Sequence, residues 1–244
     1  MSFKTKWDKK AANYSRYSST LNPFMKKVFD FIKLNKISFK DKSVVDIGCG
    51  TGVYTIEIAK SAKEVLGIDF SLPMLEVMLE DAKSNDIHNI KTIHSRWDDV
   101  EIVKDFDIAF CSMSPAVKDN ETFLKMHNCA KEKIYLGWAG KRESSFLNPI
   151  FSKFNSFYKA PSGGLELLNW LKSRKISFNF KEINEKRVSI YSLEDAIENA
   201  FWHLGINNVE AKKDELEKMV KEAVNKKGEI ENIVESKMVL ICWK

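Results

Sequence analysis

The stretch Val44-Val-Asp46-Ile-Gly48-Cys-Gly50-Thr-Gly52 decides the fold of this chain. Its β-branched first half predicts a buried strand, and the residues after Gly52 predict a helix. The chain has 10 glycines among 244 residues, and three of them alternate within this one loop. Such a concentration of a scarce residue indicates a backbone with special conformational needs. A glycine loop between a strand and a helix is typical of the sheet edge where α/β proteins bind ligands.

A second predicted strand, residues 64–69, ends in Asp69, 17 residues after Gly52. A carboxylate at that position can accept hydrogen bonds from both hydroxyls of a ribose. A dinucleotide-binding loop needs a further glycine where Val53 stands, so an NAD-dependent oxidoreductase is disfavoured. The Lys-Ser/Thr pair of a phosphate-binding P-loop is also missing.

The rest of the chain continues the alternation of strands and helices. Apolar and alternating runs predict five more strands, at residues 90–95, 105–111, 133–137, 178–190 and 237–243. Amphipathic periodicity predicts helices at residues 23–32, 53–62, 73–84, 120–130, 146–158, 163–175, 193–204 and 213–226. This order predicts an α/β fold: a Rossmann-like, doubly wound and mostly parallel sheet of about seven strands, with helices on both faces and helical additions in the C-terminal half.

Composition narrows the class of protein. Hydrophobic residues make up 44% and charged residues 30%, which is typical of a globular chain, and no apolar run is long enough to cross a membrane. The N-terminus lacks the apolar stretch of a signal peptide, so the expected location is cytoplasmic. The net charge of +5 permits an acidic substrate, but the lysines of the chain lie among acids, which argues against nucleic acid as a partner. The four cysteines are scattered and predict no metal site.

The glycine loop also carries a resemblance. Asp46-Ile-Gly48-Cys-Gly50-Thr-Gly52 matches D-x-G-x-G-x-G at every defined position, and Gly67-Ile-Asp69-Phe-Ser71 matches the acidic end of strand two. On these residues the chain resembles the class I S-adenosylmethionine-dependent methyltransferases of the small-molecule type. The resemblance is specific for residues 43–71 and fair for residues 1–137. It implies S-adenosylmethionine as the cofactor and transfer of its methyl group to an acceptor.

The resemblance assigns roles to residues around the loop. Gly48, Cys49, Gly50 and Gly52 are expected to pack against the methionine part of the cofactor. Asp46 is expected to orient the loop or to contact the cofactor's amino group. Asp69 is expected to bind the ribose hydroxyls. Phe70 and Met74 are expected near the adenine, although both can equally be ordinary core residues.

Four further positions complete the expected cofactor site. Trp97 and Asp98 follow the third strand, where an acid usually reads the adenine amino group; Arg96 takes the literal position of that acid. Tyr14 belongs to an N-terminal segment that forms a lid over the cofactor in similar proteins, and packing of a plain helix is the alternative. Cys111 ends the fourth strand, where the methyl group meets its acceptor in the family.

The acceptor is less well defined by the sequence. Ser114-Pro115-Ala-Val117 lacks the Asn/Asp-Pro-Pro-Tyr/Phe motif of enzymes that methylate base amines, which weighs against a flipped-base acceptor. The expected organisation is a single domain, residues 1–244. It comprises a helical lid (1–42), a cofactor-binding core (43–140), and last strands with helical insertions that shape the acceptor pocket (141–244).

Two questions stay open at this stage. The helices within residues 192–232 can cap the acceptor side of the sheet or stabilise its far side, and His203 can contact the acceptor or be structural. No catalytic residue is assigned, because methyl transfer can proceed by orientation and proximity alone. A small-molecule acceptor is the first hypothesis. An RNA or protein methyltransferase and a cofactor-binding regulatory subunit without transfer activity are the alternatives.

Overall fold

The computed structural model describes residues 3–102 and 106–244. Seven strands form one sheet, and they are β1 (Ser43–Ile47), β2 (Glu64–Asp69), β3 (Ile90–His94), β4 (Phe106–Ser112), β5 (Ala130–Ser144), β6 (Phe178–Tyr191) and β7 (Ile230–Trp243). Their order across the sheet is β3-β2-β1-β4-β5-β7-β6. The first five strands pair in parallel, and β7 pairs antiparallel with both β5 and β6. The predicted start of the fourth strand, Asp105, lies outside the described residues.

Helices cover both faces of the sheet and extend beyond it. In the described part of the chain they are α1 (Phe3–Lys10), α2 (Pro23–Leu34), α3 (Val53–Ala59), α4 (Leu72–Ser84), α5 (Asn120–Asn128), α6 (Leu147–Lys153), α7 (Gly164–Ser173), α8 (Leu193–Ile206) and α9 (Lys213–Glu222). Asn22 caps α2 by accepting a hydrogen bond from the Met25 N–H, as expected for a helix that opens with Pro23. Among the described residues, no helix is both long and apolar enough to cross a bilayer.

Alternating side chains divide the core into two layers. Val45 and Ile47 of β1 face a cluster that includes side chains of α5 and α7, whereas Val44 faces a cluster that includes α2 and α3. Because strands that are buried on both faces consist of continuous apolar residues, β1 and β4 are recognisable in the sequence. The predicted α/β class, with a mostly parallel sheet and helices on both faces, is confirmed.

The last strands are longer than the sequence predicts. β5 was expected over residues 133–137 and β7 over 237–243, but they cover Ala130–Ser144 and Ile230–Trp243. Most of their additional residues pair with β4, with β6 or with each other, so the backbone hydrogen bonds of the sheet continue where the apolar run stops. The segment between β6 and β7 is therefore 192–229 rather than 192–232.

A third apolar cluster lies apart from the two sheet layers. It contains side chains of α6, α8 and α9, including Phe151, Ala200 and Leu216, all of them fully buried. Two of the C-terminal helices therefore bury their apolar faces against α6 and against each other. α8 also contacts β6.

Candidate cofactor and acceptor site

Two adjoining cavities open at the carboxyl ends of the parallel strands. The smaller cavity has a volume of about 240 Å³ and the larger about 570 Å³. Both are lined by the same eight residues at their boundary: Trp7, Tyr14, Ser15, Met113, Pro115, Trp138, Arg142 and Arg187. A molecule in one cavity can therefore reach a molecule in the other.

The three alternating glycines of the loop serve different purposes. A Cβ at Gly48 would collide with Ser114, and a Cβ at Gly52 would collide with Met78. A Cβ at Gly50 would meet no atom within 4 Å, although its backbone has a positive φ of 54°. Gly48 and Gly52 thus allow the loop to pack, whereas Gly50 leaves open space at the wall of the smaller cavity.

The Asp69 carboxylate is held in place by the backbone. Its Oδ2 accepts from the Gly50 N–H and its Oδ1 from the Ser71 N–H, both at 2.9 Å. Burial raises the pKa of Asp69, and the same N–H donors oppose that rise. The Phe70 N–H also lowers the pKa of this carboxyl, and an ionised carboxylate offers about four acceptor positions, so acceptor capacity remains for a hydroxyl donor from a ligand. The side chain is 8% exposed and lines the smaller cavity.

Asp46 lies deeper in the same cavity. Its Oδ2 accepts from the Thr55 hydroxyl at 2.6 Å, and the residue is 2% exposed. Burial raises the pKa of Asp46 to about 7, the neighbouring Asp69 adds to the rise, and the Thr55 hydroxyl opposes it. A cationic ligand group would restore the charged form, so the smaller cavity fits a ligand that carries both hydroxyls and a positive charge.

The N-terminal segment closes one side of both cavities. Trp7 and Tyr14 line them, and Tyr14 is 37% exposed into this space. Asp8 of α1 accepts from the Ser71 hydroxyl at 2.6 Å. Ser71 occupies the N-cap position of α4, but its side chain makes no capping hydrogen bond and instead joins α4 to α1.

Eight of the predicted cofactor residues line the smaller cavity: Tyr14, Asp46, Gly48, Cys49, Gly50, Asp69, Phe70 and Met74. The other four, Gly52, Trp97, Asp98 and Cys111, are not among the described residues that line either cavity. Gly52 is the N-cap residue of α3, and Trp97 and Cys111 belong to the apolar layer beneath α5 and α7. Asp98 pairs with Arg96 at 3.2 Å. The geometry gives these four no contact with the cavity, so their role stays a prediction.

The larger cavity is built by the extended strands and by α8. Alternate residues of β6 and β7, among them Arg187 and Ser236, form its floor, and Trp202 and His203 of α8 face it from the other side. The indole N–H of Trp202 donates to the Lys6 carbonyl at 3.0 Å, which joins α8 to α1. The α8 helix thus lies on the side of the sheet where the two cavities meet.

Sequence reasoning missed Met113, Trp138 and Arg142 at the boundary. Met113 directly follows β4 and adopts a positive φ of 50°, which is uncommon for a residue other than glycine. Trp138 and Arg142 lie on β5 beyond its predicted end, on either side of an irregularity in the pairing with β7. For Trp138 the available signal is that an aromatic residue directly follows Gly137, where the predicted strand ends; no comparable signal in the sequence marks Met113 or Arg142.

Comparison with known proteins shows the family to which the chain belongs. A family model described as a methyltransferase domain matches residues 38–186, more than half of the chain. The chain belongs to this methyltransferase family. The match confirms the predicted family, the enzyme class and its cofactor, S-adenosylmethionine.

Curated relatives and solved structures resemble parts or all of this methyltransferase chain. It is 36% identical over 89 residues to a probable cobalt-precorrin-6B C(15)-methyltransferase (decarboxylating) of Methanocaldococcus jannaschii, covering 36% of this chain and 49% of that protein. It is 26% identical over 152 residues to a ubiquinone biosynthesis O-methyltransferase of Coxiella burnetii, covering 58% and 62%. The matches thus span less than two thirds of these relatives. A methyltransferase structure from Thiobacillus denitrificans shares the fold, with a TM-score of 0.51, 14% identity and 96% coverage of both chains.

Proposed function

We propose that this protein transfers a methyl group from S-adenosylmethionine, bound in the smaller cavity, to a small molecule held in the larger one. The observation that carries the proposal is the shared boundary between the two cavities, where a donor and an acceptor can meet. The larger cavity is bounded by α1, by α8 and by the faces of β6 and β7. A bounded chamber suits a small molecule better than a folded protein or an RNA chain.

The residues of the smaller cavity fit the cofactor in three places. Asp69 would hold the ribose hydroxyls through its free acceptor positions. Asp46 would pair with the amino group, and the open space beside Gly50 would admit the chain of the methionine part. The complex of the Thiobacillus denitrificans relative with S-adenosylhomocysteine supports this use of the fold.

Catalysis in this site rests on positioning. When bound, S-adenosylmethionine would supply an electrophilic methyl group on a positively charged sulfur, which is a good leaving group. Burial and the nearby charges of Arg142 and Lys10 lower the pKa of His203 to about 3, so its imidazole is neutral and weakly basic at pH 7. His203 is therefore better suited to hydrogen bonding than to removing a proton.

Two of the curated relatives support a small-molecule acceptor, whereas another is named as a ribosomal protein L11 methyltransferase. The names of those two describe methylation of a cobalt-precorrin and a step of ubiquinone biosynthesis. The C-terminal helices, α8 in particular, would then act as a cap on the acceptor side, and the N-terminal segment as a lid. A cytoplasmic location remains the prediction from the sequence.

Methyl transfer from a radiolabelled donor tests the proposal. The protein is incubated with S-adenosylmethionine labelled in its methyl group and a cell extract, which is then separated into small molecules, RNA and protein. We expect the label in the small-molecule fraction, and no transfer with a Gly50→Val variant. Label in RNA or protein would refute the small-molecule acceptor. Cofactor binding without any transfer would favour the regulatory subunit instead.

A further inference from the structure

Arg142 is the most unusual charged residue at the boundary of the two cavities. Its guanidinium carbon lies 5.3 Å from the Trp138 ring centroid and 5.0 Å from that of Tyr158. Within residues 3–102 and 106–244 it has no carboxylate partner. A guanidinium held by two aromatic faces keeps its N–H edge available for a planar oxyanion.

Other arginines near the site are already neutralised. Arg187 pairs with Glu185 at 2.9 Å, and Arg16 pairs with Glu80 at 2.8 Å. Arg142 differs because its contacts are with aromatic rings rather than with acids. Its charge is therefore unbalanced at a wall that a ligand must touch.

The lining of the larger cavity carries charge of the same sign as Arg142. Four cationic side chains line the larger cavity, and they are Lys10, Arg142, Lys159 and Arg187. Glu185 is the one acidic residue among the described residues of that lining, and it is occupied by Arg187. Like charges gathered around a low-dielectric space favour an anionic occupant.

The walls also suit a flat molecule with polar substituents. The indole and phenol rings of Trp7, Trp138, Tyr158, Tyr191 and Trp202 line the larger cavity. The Tyr158 hydroxyl and His203 Nδ1 are buried and have no hydrogen-bond partner among the described residues. Their rings lie 5.4 Å apart, centroid to centroid. Buried polar atoms are rarely left unpaired, so a ligand is the natural partner for this pair.

We infer that the acceptor is a planar small-molecule acid whose carboxylate or similar oxyanion binds Arg142. This inference rests on the proposed function and gives its acceptor a chemical class. The aromatic walls would hold the flat body of the acid, and the polar pair Tyr158 and His203 would bind a substituent on it.

Two probes that differ only in charge test the inference. Naphthalene-2-carboxylate and naphthalene-2-carboxamide are titrated calorimetrically into the full-length protein saturated with S-adenosylhomocysteine. We expect the acid to bind at least about tenfold more tightly than the amide, because only the acid forms a charge-assisted bidentate pair. Arg142→Gln should remove this preference while S-adenosylhomocysteine affinity stays within about twofold.

Matched variants keep the test decisive. Lys141→Gln removes a neighbouring positive charge that pairs with Glu143 at 3.2 Å and lines neither cavity, so it should retain the preference for the acid. Arg142→Lys keeps the charge but loses the planar fork, and an intermediate preference is expected. Should Arg142→Gln fail to fold, the Lys variant carries the comparison.

Three results would overturn the inference. They are equal binding of acid and amide, absence of binding by both, and an unchanged preference in both Arg142 variants. A loss of S-adenosylhomocysteine affinity in Arg142→Gln that matches the loss of acid affinity would assign Arg142 to the cofactor carboxylate instead. Failure of the wild-type protein to bind S-adenosylhomocysteine would refute the proposed function itself, so the two failures are distinguishable.

Discussion

Replacing Asp46 by asparagine should abolish a pH dependence of cofactor binding that the wild-type protein shows below pH 7. Asp46 is buried, and that burial raises its pKa to about 7 from an ordinary value of 3.8. The proposed partner is the cationic amino group of the cofactor, which binds the ionised carboxylate. Protons and cofactor therefore compete for Asp46. Asparagine keeps an oxygen that can accept from the Thr55 hydroxyl but does not titrate.

The magnitude follows from the pKa of about 7. About half of the Asp46 carboxyls are protonated at pH 7 and about ten in eleven at pH 6. If only the ionised form binds the amino group, the dissociation constant should rise about fivefold between these two pH values, or about 1 kcal/mol. The Asn variant should bind more weakly at pH 7 and should show a flat dependence over the same interval.

The free energy of unfolding of the cofactor-free protein should fall as the pH rises, whereas cofactor affinity should increase. Because the pKa of Asp46 is higher in the folded than in the unfolded chain, the folded state holds more protons between about pH 4 and pH 7. The contribution of Asp46 protonation to the stability of the folded state is fully present below pH 4 and is lost as the pH rises through 7. Removing the titration should therefore make the Asn variant more stable than wild type at pH 8, by on the order of a few kcal/mol, with the difference shrinking towards pH 5.

Calorimetric titration with S-adenosylhomocysteine at pH 7 and pH 6 measures the pH dependence of binding. Thermal unfolding without ligand measures the pH dependence of stability. Asp107→Asn is a suitable control, because Asp107 lines neither cavity and the Ser43 N–H and Lys131 hold its pKa at about 2. Its substitution should leave the pH dependence of binding intact. An equal pH dependence in wild type and the Asp46 variant would refute the reasoning.

Three further predictions concern the loop, the ribose contact and the lid. Gly50→Val should abolish S-adenosylhomocysteine binding in calorimetry because the valine side chain enters the smaller cavity. Gly228→Val is the control, since Gly228 is equally open and has a φ of 80°, so this variant has the backbone strain without the obstruction. Equal S-adenosylhomocysteine affinities of the two variants would contradict the prediction. Asp69→Ala should weaken binding by about 1.5–3 kcal/mol, and a folded variant of unchanged affinity would remove its assignment. Ser71→Ala releases Asp8 and should speed cofactor dissociation several-fold in stopped-flow fluorescence, whereas an unchanged rate would exclude a lid held by this bond.

Much of the lining of the smaller cavity could be predicted because its determinants are local. The glycine loop lies between β1 and α3, and Asp69 ends the neighbouring strand β2, so one short stretch of chain contains both halves of the contact. Buried parallel strands are apolar on both faces, which makes their ends visible in the sequence. The conformational need of a glycine at Gly50 is likewise a property of a single position.

Two positions that were assigned from the resemblance, Trp97 and Cys111, do not line the smaller cavity. Trp97 and Cys111 follow or end strands whose carboxyl edges approach the site, yet their side chains point into the apolar layer on one face. Side chains alternate across a strand, so a shift of one residue decides between the core and the cavity. That choice depends on packing against α5 and α7, which a motif does not contain.

By itself, the sequence determined the α/β class, the parallel core, the glycine loop and its acidic partner. Only the tertiary structure decided the larger cavity, because its walls come from α1, β5, β6, β7 and α8, which are far apart in the chain. Each of those segments is locally an ordinary amphipathic helix or alternating strand. Arg142 acquires its significance only when β5 runs past its apolar stretch and brings the guanidinium between Trp138 and Tyr158. Long-range pairing of strands sets that position, and local propensity carries no information about it.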